Sequence, residues 1–150
     1  MDDDSDGILR GAMSQESTTP DLEERGQRLA DAMNARDFDA ALSYFAPNAV
    51  FESVGIGVFE GRAAIRAFLE DWNGAFEDYG LELQGVRDLG NDVAFAVLIQ
   101  RGRLPGSNGW LQVRYGGVTT WAHGLIERAT YYADIDEARA AAERLAQERG

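Results

Sequence analysis

Apolar residues recur along this chain with two periods, and the change between them divides it into a helical front and a stranded back. Ile65, Phe68, Leu69, Trp72 and Phe76 follow one another at i, i+3, i+4, i+7 and i+11, while Arg66, Glu70, Asp71 and Glu77 fall on other faces. That spacing predicts an amphipathic helix covering something apolar. Two shorter helices precede it. Thr19-Pro20-Asp21 offers an N-cap, a proline at N1 and an acid in the first turn, and Leu22, Leu29, Ala30 and Met33 then share a face to about Ala35. Asp37 caps the second helix, whose stripe is Phe38, Ala41, Leu42 and Phe45. Phe45-Ala46-Pro47 ends it, because proline disfavours an α conformation at Ala46 and has no amide hydrogen. The segments 49–53 and 57–60, joined by Val54-Gly55-Ile56, read as a small hairpin before Gly61 opens the long helix.

From Tyr79 onward the period is two. Leu81, Leu83 and Val86 alternate with polar residues up to the turn Leu89-Gly90-Asn91-Asp92. Val93, Phe95, Val97, Ile99, Arg101 and Arg103 share one face of the next strand, with Ala94, Ala96, Leu98 and Gln100 on the other. Pro105 to Gly109 is a second turn, Trp110 to Trp121 a strand, Ala122-His123-Gly124 a third turn and Leu125 to Asp134 the last strand. These hairpins make a meander whose length and glycine content imply strong bending. The chain closes on an alanine-rich helix, Ile135 to Arg149, with Ile135, Ala138, Ala142 and Leu145 on one side and Arg139/Glu143 and Arg144/Glu148 as i, i+4 pairs. That helix packs on the domain or on a second copy. The class is therefore α+β: three N-terminal helices, a meander and a C-terminal helix.

Composition narrows the possibilities. A chain of 150 residues is read as one domain, at 20–150, able to bury about 70% of its unfolded surface. Residues 1–19 are acidic and poor in large apolar side chains, which predicts a disordered leader, with Met13 an alternative start. A net charge of -12 disfavours nucleic acid and anionic lipid as partners. No apolar run is long enough to span a bilayer, so the expectation is a soluble, cytoplasmic protein. There is no cysteine and one histidine, His123, which excludes thiolate metal sites and any site needing two imidazoles. Asp2, Asp4, Asp6 and Gly7 match half of a calcium loop, but Met13 stands where the bidentate glutamate belongs, so no metal is expected. Gly55-Ile56-Gly57 with Gly61 lacks the βαβ setting of a nucleotide loop, and no cofactor is expected.

Three segments carry a resemblance: N-A-R-D-F-D-A-A-L-S-Y-F-A-P-N-A-V-F-E at 34–52, F-E-G-R-A-A-I-R-A-F-L at 59–69 and G-L-I-E-R-A-T-Y-Y-A-D-I-D-E-A at 124–138. Over about Asp21 to Ala146 the chain resembles the SnoaL-like branch of the NTF2-like superfamily (nuclear transport factor 2 family, ketosteroid isomerase-like fold). The resemblance implies a cone-shaped fold in which a curved mixed sheet wraps a pocket closed by helices, commonly as a homodimer. Members include ketosteroid isomerases, polyketide cyclases, limonene-epoxide hydrolases, scytalone dehydratases and non-catalytic scaffolds, so the fold leaves function open. The isomerase members' tyrosine and two aspartates align with Leu29, Ser53 and a position near Gly117, so that chemistry is not expected here.

By the same alignment the inward-facing residues are Phe51 and Ser53; Val97, Ile99 and Arg101; Tyr115, Gly117, Thr119 and Trp121; and Ala129 and Tyr131, with Trp72 on the roofing helix. Such a chamber, apolar and aromatic with few polar groups, is the usual profile of a small-molecule site. Arg101 either grips a ligand oxyanion there or sits at a strand end paired with an acid such as Glu52 or Glu127. Tyr115 and Tyr131 either donate to a ligand oxygen or fill the core. Glu52 is the carboxylate nearest the family's base position, although alternation turns it to the face opposite Ser53. His123 lies in a turn without a serine or acid partner. Three functions stay open: binding of a small, largely apolar organic molecule, acid-base catalysis of the polyketide cyclase, isomerase or hydratase type, and a dimeric scaffold.

Overall fold

The computed structural model describes residues 22–150, so the leader, the half calcium loop and the Thr19-Pro20-Asp21 cap lie outside the described residues. Four helices and six strands follow in the order α1 (Leu22–Asn34), α2 (Phe38–Leu42), β1 (Phe45–Ser53), β2 (Gly57–Glu60), α3 (Arg62–Gly74), β3 (Glu77–Gly90), β4 (Val93–Arg103), β5 (Trp110–Ala122), β6 (Leu125–Tyr132) and α4 (Ile135–Arg149). The strands form one mixed sheet in the order β2-β1-β6-β5-β4-β3. Its single parallel pair is β1 with β6, which closes the meander back onto the N-terminal hairpin.

Local chemistry sets the element ends. The Asp37 carboxylate caps α2 by accepting from the Ala40 amide at 3.1 Å. Gly61 precedes α3 at φ 86°, a left-handed conformation that glycine adopts without steric cost. Gly90, Asn91 and Asp92 carry positive φ in the β3–β4 turn, as do His123 and Gly124 in the β5–β6 turn, and positive φ is what tight hairpin turns require. Arg62 ties α3 to β1 by donating to the Phe45 carbonyl from Nε at 2.9 Å and from Nη2 at 2.6 Å.

Two hydrophobic clusters lie on opposite sides of the sheet. On the inner side α1, α2 and α3 bring Leu22, Met33, Leu42, Ile65 and Leu69 against Phe45, Phe51, Trp121 and Ile126. On the outer side Ala138, Ala142 and Ala146 of α4 pack on Val93, Phe95 and Val118. The approach of α4 is close because Gly116 has no side chain: a Cβ there would stand 2.6 Å from the Ala138 Cβ. On this helix Arg139 pairs with Asp136 at 2.6 Å rather than with Glu143, and Arg144 does not pair with Glu148, so neither expected i, i+4 pair is made.

The main departure from the sequence reading is the orientation of β4. Its bulky odd-numbered residues Val93, Phe95 and Val97 face outward, and Ala94, Ala96, Leu98 and Gln100 face inward. The antiparallel register with β5 requires this, since Leu98 pairs with Tyr115 and Ala96 with Gly117, and directly opposed residues share a face. Val97, Ile99 and Arg101 therefore do not line the interior.

Candidate functional site

The inner side encloses a cavity of about 290 Å³. Leu22, Leu29 and Met33 of α1 form one wall, and Phe68, Leu69 and Trp72 of α3 another. The sheet supplies Phe51 and Ser53 from β1, Tyr79, Leu81 and Leu83 from β3, Leu98 and Gln100 from β4, Tyr115, Thr119 and Trp121 from β5, and Tyr131 from β6. Val86 also reaches it, because a register shift between Leu83 and Gly85 moves the alternation of β3 by one residue. Val54, Ile56 and Leu111 are exposed and border the opening.

Small residues at the sheet's centre make the space, and rings bound it. Ala94, Ala96 and Gly117 sit mid-strand on the inner face. Gly117 is not itself open space: the Tyr131 ring lies across it, and a Cβ there would come within 2.7 Å of the Tyr131 Cε1. Tyr131 stacks obliquely on Phe51, with ring centres 5.0 Å apart, and meets Tyr115 edge-on at 5.8 Å. Phe51, Phe68 and Trp72 continue the aromatic line along α3 at spacings of 5.5 and 6.0 Å.

Among the described residues no aspartate, glutamate, histidine or arginine lines this cavity. Its polar groups fall into two sets. The first is satisfied within the protein: the Trp72 indole donates to the Gln100 side-chain oxygen at 2.8 Å, and the Trp121 indole to the Thr119 hydroxyl at 2.8 Å. The second has no hydrogen-bond partner among the described residues: a trio of phenols, Tyr79, Tyr115 and Tyr131, with the hydroxyls of Ser53 and Tyr132 beside them. Burial pushes the phenol of Tyr79 up to about 12. Burial, aided by Tyr79, does the same to Tyr131, and burial with both neighbours raises Tyr115 well above the ordinary range. Each is therefore a neutral O–H donor at physiological pH, held beside the other two in apolar surroundings.

Of the residues expected at the site, Phe51, Ser53, Trp72, Tyr115, Thr119 and Tyr131 meet around this cavity. Val97, Ile99 and Arg101 do not. Arg101 is exposed on the outer face, where it donates to Gln112 at 2.9 Å and pairs with Glu82 at 3.2 Å. Glu52 points away from the cavity and pairs with Arg128 at 2.9 Å. His123 is exposed in its turn. Tyr79 and Gln100 were not expected: Tyr79 looked only like a strand start, and Gln100 was assigned to the outer face. Among the described residues no cluster of three or more acidic, cysteine or histidine side chains could hold a metal ion, and no helix is long and apolar enough to cross a membrane.

Comparison with known proteins agrees with this architecture. The model of the SnoaL-like domain matches residues 27–129. A putative polyketide cyclase from Sinorhizobium meliloti is 28% identical and superposes with a TM-score of 0.62, covering 73% of this chain and 94% of that one. A hypothetical protein of ketosteroid isomerase-like fold from Catenulispora acidiphila, solved in complex with trimethylamine, is 17% identical with a TM-score of 0.68, covering 83% of this chain and 94% of that one. A Mycobacterium tuberculosis protein solved in complex with estradiol-17beta-hemisuccinate is 19% identical with a TM-score of 0.64, covering 74% and 92%. No curated protein matches the chain by sequence.

Proposed function

The chain belongs to the SnoaL-like domain family, and from that premise we propose that its cavity binds a small, neutral, largely apolar organic molecule through an acceptor oxygen. The supporting observation is the chemistry of the wall: three neutral phenol donors without protein acceptors, inside an aromatic shell that presents no ionisable carboxylate, imidazole or guanidinium among the described residues. A ketone, quinone, lactone or ether oxygen completes these donors. A carboxylate would enter without a counter-charge, and an unpaired buried ion costs several kcal/mol. The size supports the same reading, since about 290 Å³ lies at the lower end of pockets that take drug-sized ligands. Two structural relatives, solved in complex with trimethylamine and with estradiol-17beta-hemisuccinate, support small-molecule binding as such.

Reaction chemistry of the acid-base type needs a group that takes up a proton near neutral pH. The phenols only donate there, so the reading favoured is binding.

Calorimetry with neutral mono- and bicyclic ketones against carboxylic acids on the same carbon frames tests this. Ketones are expected to bind and the matched acids not to. Tyr79→Phe and Tyr115→Phe should each weaken ketone binding by roughly threefold to tenfold, the worth of one hydrogen bond. Ala96→Phe should fill the space, abolish binding and leave the melting temperature equal or higher. Equal affinity for ketones and acids, or unchanged binding in Ala96→Phe, would refute the proposal.

A further inference from the structure

We propose that Arg87, Arg114 and Arg139 form a second site, on the outer face at the β3 edge, for a multiply charged oxyanion such as a phosphate or diphosphate group. All fourteen basic side chains of this acidic protein are arginines. Six of the thirteen described ones are ion-paired: Arg28, Arg66, Arg101, Arg103, Arg128 and Arg139 each meet a carboxylate. Arg87 and Arg114 are not. Arg87 has no ion-pair or hydrogen-bond partner among the described residues. Arg114 gives its Nε to the neutral Gln84 oxygen at 2.9 Å.

The register brings them together. Arg87 of β3 lies opposite Phe95, and Arg114 of β5 opposite Ile99, so both rise from the outer face on either side of β4. Arg139 comes over the same place from α4, its guanidinium carbon 5.3 Å from the centre of the Phe95 ring. The three surround a cavity of about 320 Å³ floored by Phe95 and Val97, on whose wall Glu23 is the one carboxylate among the described residues.

Two of the three cations are held in place, Arg114 by Gln84, and Arg139 by the ring and by Asp136. Guanidiniums fixed in this way repel one another and present paired N–H donors that match an oxyanion's geometry. An anion bound among them supplies the charge partner that Arg87 and Arg114 lack. The apolar floor gives an organic substituent on that anion a surface to lie against.

The test is a titration with inorganic pyrophosphate at low salt, followed by calorimetry and phosphorus NMR, with chloride at matched ionic strength as the blank. One saturable site is expected. The pair Arg87→Gln with Arg114→Gln should weaken it at least about tenfold, as the loss of charge-assisted hydrogen bonds implies, and Arg101→Gln should leave it unchanged. If the double variant fails to fold, Arg87→Gln alone carries the comparison, since that side chain contacts no partner. Absence of saturation up to about 10 mM, or an equal loss in Arg101→Gln, overturns the proposal.

Discussion

Raising the pH should unfold this protein through its cavity phenols. A tyrosine whose folded pKa lies above its unfolded value leaves stability at its full level while both states are protonated, and that stability falls once only the unfolded state has lost its proton. Tyr79 and Tyr131 move from the usual 10.0 to about 12. Each two-unit shift is worth about 2.7 kcal/mol, contributed fully below pH 10 and lost as pH rises through 12. Together that is about 5 kcal/mol, a large share of the roughly 5–15 kcal/mol that holds a domain folded, and Tyr115 adds in the same direction. The expected record is a denaturant midpoint that is flat up to pH 9 and falls steeply between pH 10 and 12. In the folded protein the near-ultraviolet phenolate absorbance should show Tyr79, Tyr115 and Tyr131 ionising late, together with loss of tertiary signal. Tyr79→Phe should remove part of both effects. If Tyr79, Tyr115 and Tyr131 ionised near pH 10 with the fold intact, the phenols would be solvated and the picture of a desolvated donor trio would fail.

Two substitutions test the packing on either side of the sheet. Gly116→Val should destabilise by about 2 kcal/mol or more in chemical denaturation, because the added Cβ meets that of Ala138 at 2.6 Å and the helix must move, with Ala138→Gly in the same chain recovering part of the loss. Gln100→Leu should cost about 1–3 kcal/mol by leaving the Trp72 indole without its acceptor, whereas Gln100→Leu combined with Trp72→Phe should cost less than the single change, an order that a double-mutant cycle would read directly.

What the sequence made legible is what short-range chemistry dictates. The α4 range, Ile135–Arg149, follows from its alanine stripe and its ends. The turns at Gly90-Asn91-Asp92 and His123-Gly124 follow from residues that tolerate positive φ. The face of β4 was not legible, for a countable reason. A turn confined to Pro105 to Gly109 sets Leu104 opposite Trp110, which would put Ile99 opposite Tyr115. The observed pairing sets Arg103 opposite Trp110, leaves Leu104 in the loop and places Leu98 opposite Tyr115. One residue of loop length turned the whole strand over. Alternation could not correct this, since both faces of β4 are apolar: one packs on α4 and the other borders the cavity. Tyr79 keeps step with Leu81 and Leu83 and was within reach of simple alternation; it is Val86 that the register shift between Leu83 and Gly85 brings to the inner face out of that step.

The allocation of side-chain size across β4 also explains why the interior is hollow. Its bulky residues, Val93, Phe95 and Val97, are spent on the outer face, where α4 presents alanines, and the inner face receives Ala94 and Ala96 opposite Thr119 and Gly117. A dry void of about 290 Å³ would cost about 7 kcal/mol at the usual 24 cal/mol per Å³, more than a domain of this size readily bears. Water lowers that cost only where it finds polar partners, and on this wall the unclaimed ones are chiefly the three phenols. A ligand that displaces that water without supplying an acceptor gains from its apolar contacts but leaves buried hydroxyls unpaired. A ligand with a carbonyl or ether oxygen at the phenols gains from both. The same geometry that keeps the cavity open thus selects among the apolar molecules that fit it.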